Sequence, residues 1–191
     1  TRPPGRGAGA DAAGEFSLVN HAAIAVRDLR VRHGMERVLV VGWGARPPVA
    51  LARLLAEDDG VQLISIHAHP RSFPNPDPSA DEHPAIPGAA LAPGSDGEAF
   101  ADALRAALAN VQKPVDFVLL SAGFDILAAD AQGPLAVQPD EVYTITAVLR
   151  EWADERAGGR LVSVLEGGYA AAETARAVIQ HIRALAAIER A

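Results

Sequence analysis

The chain has 191 residues, is 49% hydrophobic and has a mean hydropathy of +0.10, enough to bury one sizeable core and to exclude disorder as its main state. A net charge of −7 and a pI near 5.3 argue against general affinity for DNA or RNA, because phosphate binding needs a basic surface. The lack of cysteine removes disulfides, thiolate zinc sites and thiol nucleophiles together. A single domain over 1–191 is expected. The opening segment has no apolar stretch of the secretory kind, and no run approaches the roughly 20 apolar residues of a membrane helix, so a soluble, cytoplasmic protein is expected.

In chain order, Ser17 is expected to cap a helix in which Val19, Ala22, Ala23 and Val26 recur at helical spacing and which ends at Gly34. The run Val38-Leu39-Val40-Val41 suits a strand covered on both faces. Pro47 and Pro48 open a helix reaching about Glu57, and Val61 to Ile66 reads as the next strand. The segment from His67 to Gly97 holds half of the 14 prolines and reads as a long functional loop that walls a pocket. A helix over Glu98–Asn110, a strand over Phe117–Ser121, a helix over Glu141–Ala157, a strand over Leu161–Leu165 and a last helix from about Ala171 complete the pattern. Such alternation predicts an α/β domain, three-layer αβα, with a mostly parallel sheet and right-handed crossovers. Ligands in these sheets sit beyond the carboxyl ends of the strands. The segments of interest are therefore Gly42–Pro48, His67–Pro74, Ala122–Asp130 and Glu166–Ala170.

Two of them carry distinctive motifs. Ser121-Ala122-Gly123-Phe124-Asp125, after an apolar strand, and Leu165-Glu166-Gly167-Gly168-Tyr169 resemble paired motifs of histone deacetylases and acetylpolyamine amidohydrolases. Phe16-Ser17-Leu18-Val19-Asn20-His21 is similar to the same family's Phe-Cys-x-x-Asn-Asn helix start. Ser65-Ile66-His67, with Phe73-Pro74 after it, is similar to its Ser-Leu-His and Phe-Pro segments. The resemblance implies the arginase/deacetylase fold lacking the family's N-terminal portion, which leaves either a fragment or a sheet in which Val38–Val41 lies nearer an edge. It also implies a zinc ion that activates water, a histidine pair that moves protons and a tyrosine that stabilises the oxyanion.

Several of those parts are replaced here. Arg2-Pro3-Pro4-Gly5 continues with Arg6 and Gly7 where the resemblance implies two histidines, and Gly44 and Arg46 stand at the positions of an aspartate and a histidine zinc ligand. Asp125 is the one ligand position that matches, Tyr169 matches the oxyanion position, and Glu15 replaces a pocket glycine. One carboxylate cannot replace the three protein ligands of a catalytic zinc, so no cofactor is expected, and a buried Arg46–Asp125 ion pair is expected to fill the metal position. Phe16, Phe73, Gly167 and Gly168 match the pocket walls, although both phenylalanines fit the core equally well. The His67-x-His69 pair and His21 read most simply as structural, and Asp125 and Tyr169 also suit plain turn positions.

The expected function is that of a catalytically inactive deacetylase-like protein acting as a binding or regulatory module, with a protein partner, a second copy or a small acylated amine as its ligand. The rival expectation is a zinc-dependent deacetylase acting on acetyl-lysine, acetylpolyamine or another acylated amine. Neither nucleic acid nor membrane is expected as a partner.

Overall fold

The computed structural model describes residues 3–14, 16–73 and 86–189. Arg2, Glu15 and Pro74 of the motifs lie outside this set. Five parallel strands, β1 (Val38–Gly44), β2 (Val61–Ala68), β3 (Gly88–Leu91), β4 (Phe117–Ala122) and β5 (Leu161–Leu165), form one sheet in the order β3-β2-β1-β4-β5. Every residue of β1 is buried, as its continuous apolar sequence predicts, and it is the middle strand rather than one near an edge.

The side chains of β1 alternate between two packed layers. Leu39, Val41 and Trp43 enter a core that includes Phe100, Leu104, Leu149 and Ala177, from the helices α3 (Gly97–Ala109), α4 (Val142–Ala157) and α5 (Ala171–Leu185). Val38 and Val40 meet Ala22, Val26, Leu51 and Leu55 of α1 (His21–Val31) and α2 (Val49–Leu55) on the other face. This period-two division makes the three-layer αβα sandwich.

Most predicted elements recur within a residue or two of their sequence bounds, with two differences. Asn20, not Ser17, caps α1: its side chain accepts a hydrogen bond from the Ala23 N–H, and α1 ends at Val31, before Gly34. Ser17 is instead drawn towards the preceding loop, where its hydroxyl accepts from the Gly7 N–H at 3.2 Å. The proline-rich stretch also contributes β3, whose partner β2 supplies the pairing that its short, weakly patterned sequence does not announce.

Candidate functional site

The carboxyl ends of β1, β4 and β5 converge with the N-terminal segment on a cavity of about 220 Å³, lined by Pro4, Arg6, Gly7, Phe16, Ser17, Arg46, Asp125, Gln132, Gly167 and Tyr169. The structure thus brings together most of the residues singled out from sequence. Gly44, Phe73 and Gly168 are not among the lining residues.

At the centre is Asp125, buried just beyond β4. Its Oδ1 accepts from the Ala45 N–H at 2.9 Å, and its Oδ2 faces the Arg6 guanidinium at 3.4 Å. Arg6 also donates to the Trp43 carbonyl at 3.1 Å, and its side chain is only 12% exposed. The guanidinium lies against Gly44, where an added Cβ would overlap it, so the missing side chain at Gly44 is what admits the arginine. Gly167 is constrained in the same way, since a Cβ there would approach Asp125 Oδ2 to 2.8 Å.

The expected Arg46–Asp125 pair does not form. Arg46 stacks on the Phe73 ring, 3.9 Å from its centroid, while Arg6 takes the carboxylate. Arg6 reaches Asp125 because the Pro-Pro-Gly loop is tied down over the strand ends, a contact 119 residues apart in sequence that no local pattern announces. Phe73 is buried and belongs to the core, whereas Phe16 is 71% exposed and forms the rim, its ring 5.8 Å from that of Tyr169. Phe16 has φ of +60°, uncommon for a residue other than glycine.

Two buried carboxylates of no assigned role in the sequence reading hold this arrangement. Glu166 is fully buried and accepts from the Gly5 N–H at 2.6 Å, the Arg6 N–H at 3.2 Å and the Ser121 hydroxyl at 3.3 Å. Asp130 accepts from the N–H groups of Tyr169 at 2.5 Å, Ala170 at 3.3 Å and Gln132 at 2.9 Å. A charged residue directly after an apolar parallel strand, as in Val164-Leu165-Glu166, is the signal that could have found Glu166, because a carboxylate there needs donors. Asn20 adds a third tie, its amide donating to the Ala8 carbonyl at 3.0 Å.

Four of the described histidines, none of them among the lining residues, are bonded within the fold. His67, at the end of β2, is bonded to the Ser65 hydroxyl at 3.0 Å, and burial, with the nearby charge of Arg6, pushes its pKa down to about 4. His69 caps a short 3-10 turn by accepting from the Arg71 N–H, and the His21 ring lies 3.3 Å from the Pro3 carbonyl. His181 bridges Thr146 and Ser163, both at 2.8 Å, between the rings of Trp43 and Phe124, and burial lowers it to about 4.

A catalytic zinc of this fold needs three protein ligands. The donors at this position are one carboxylate, already bonded to a backbone N–H and a guanidinium, and two residues, Gly44 and Arg46, that do not bind divalent metal. Among the described residues no group of three His, Cys, Asp or Glu side chains is placed to hold a metal ion. The donor set does not fit zinc.

A three-layer sandwich with its pocket at the carboxyl ends of parallel strands, closed by an Asp-bearing loop and a Gly-Gly-Tyr loop, defines the deacetylase class of α/β domains. The chain belongs to the histone deacetylase domain family, whose sequence pattern matches residues 1–185. It is 30% identical to Histone deacetylase 6 of Caenorhabditis elegans over 88% of this chain and 18% of that one. It is 29% identical to a histone deacetylase-like amidohydrolase of Pseudomonas aeruginosa (90% and 47%) and 32% identical to a polyamine deacetylase of Homo sapiens (96% and 29%). Among solved structures it resembles an acetylpolyamine aminohydrolase from Burkholderia pseudomallei with a TM-score of 0.82 and 29% identity, over 98% of this chain and 55% of that one. The chain therefore spans less than half of each of these three curated relatives. No helix among the described residues is long and apolar enough to cross a membrane.

Proposed function

We propose that this deacetylase-family domain does not hydrolyse acylated amines by the zinc route and acts instead as a binding or regulatory module. The observation that carries this reading is the Arg6 guanidinium seated over Gly44 and against Asp125, a fixed positive charge where a divalent cation would need anionic or neutral donors. The loss is also mechanistic. With Arg6 and Gly7 in place of a histidine pair, no imidazole is among the described lining residues to take a proton from water. Tyr169 keeps a hydroxyl at the rim, but a phenol alone neither generates a nucleophile nor carries a proton to a leaving amine.

Metal analysis of the purified, dialysed protein, combined with a fluorogenic acetyl-lysine and an acetylpolyamine assay, tests the reading. The expected result is zinc well below one per chain and no hydroxamate-sensitive turnover. One tightly held zinc per chain together with hydroxamate-sensitive hydrolysis would establish the rival zinc-dependent deacetylase.

A further inference from the structure

Arg6 and Arg46 both line the pocket, and Asp125 is the single carboxylate among the described lining residues. Arg6 is spent on Asp125 and the Trp43 carbonyl. Arg46 is not: among the described residues it forms no ion pair and donates no side-chain hydrogen bond, and its Cζ lies over the buried Phe73 ring, 3.9 Å from the centroid. The contact with the ring restrains the guanidinium while leaving its N–H donors unused, so less side-chain entropy is lost when an acceptor binds. A fork of parallel N–H donors matches the two oxygens of a carboxylate.

The remaining walls restrict the ligand further. Among the described residues two guanidinium groups and one carboxylate line the pocket, while Glu166 and Asp130 are turned to backbone N–H groups of the loops. The uncommitted donor that faces a ligand is therefore that of Arg46, which favours an anion over a cationic amine. Pro4 and the Phe16 ring offer an apolar wall, and Gln132 a polar one. A volume of about 220 Å³ holds about seven waters at roughly 30 Å³ each, enough for a carboxyl group on a short aliphatic stem.

We propose that this pocket binds a small carboxylate, gripped by the guanidinium of Arg46 with Arg6 supplying charge behind it. The proposal rests on the non-hydrolytic reading above, since a zinc ion beside Asp125 would require Arg6 to be displaced. The carboxylate can belong to a free short-chain acid or to the C-terminus of a peptide.

Calorimetric or ligand-observed NMR titration of the whole chain with butyrate, butyramide, chloride and a short peptide with a free or an amidated C-terminus tests it. Butyrate or the free-acid peptide is expected to bind at millimolar concentration or tighter, and the matching amides at least roughly 10-fold more weakly, the scale of a charge-assisted hydrogen-bond pair. Arg46→Gln should weaken binding by a similar factor, with Arg46→Lys between the two. Circular dichroism should show both variants folded, because Arg46 holds no ion pair among the described residues. Tighter binding of the peptide or of butyrate identifies the source of the carboxyl group. Equal binding of butyramide or chloride, wild-type affinity in Arg46→Gln, or no binding of either acid overturns the proposal. Zinc content measured on the same preparation separates the two failures, since metal-free protein that ignores carboxylates sinks this inference alone.

Discussion

The metal cradle and the shell of buried acids around it have fared differently in this chain. In the cradle, Gly44, Arg46, Arg6 and Gly7 stand where the family resemblance implies an acid and three histidines. In the shell, Glu166 and Asp130 still accept the backbone N–H groups that hold the Pro-Pro-Gly-Arg and Gly-Gly-Tyr loops over the strand ends. The contrast shows that the pocket's shape does not depend on the metal ligands. Loop position comes from carboxylate-to-backbone bonds, which do not use the side chains of loop residues such as Arg6 and Tyr169, whereas metal affinity depends on side-chain chemistry.

Removing a shell acid should therefore cost more than removing a cradle residue. Glu166→Ala leaves two N–H groups and a hydroxyl without their acceptor in a buried place, a loss of about 4 kcal/mol, or roughly 8–16 °C in Tm. Thermal melts will check this, and an unchanged Tm would break the comparison.

Taken residue by residue, acid should act next most strongly, at each of the two buried histidines. Both have folded pKa values near 4 against 6.5 when unfolded, so below pH 6.5 the unfolded chain binds more protons. Stability is fully present above pH 6.5 and is lost as pH falls towards 4, by up to about 3 kcal/mol per histidine. Urea midpoints between pH 7 and 4.5 should follow this course, and His181→Asn should flatten the slope while lowering stability at pH 7.

Arg6→Gln separates the two regions spectroscopically. It should raise the pKa of His67, which feels the charge of Arg6, and leave His181, lowered by burial alone, in place. Histidine NMR titrations read both. The smallest effect is expected for Arg46→Ala, whose stack on Phe73 is worth about 1 kcal/mol or less. A larger loss of stability would mean that Arg46 holds the fold rather than awaiting a ligand.

How far the sequence reached varies by element. The strands β1, β2, β4 and β5 and the helices α3, α4 and α5 were legible because their apolar spacing is local and their ends carry ordinary caps and breakers, such as Gly158 after α4 with φ of +58°. The short strand β3 was not legible, since four residues of Gly-Ala-Ala-Leu become a strand only when β2 offers its edge. The start of α1 was misplaced because Ser17 and Asn20 both suit a cap, and the loop containing Gly7 draws Ser17 away.

In the pocket, Asp125, Tyr169 and Arg46 are identifiable from motif position, which depends only on residue order. By itself the sequence determined the layer architecture, the family and which residues stand at the motif positions, since these follow from hydrophobic period and residue identity. Which arginine meets Asp125, and which acids pin the loops, was decided by the tertiary structure. An ion pair depends on where the ends of two long side chains arrive, and that is set by loops whose backbone is held from the far side of the chain.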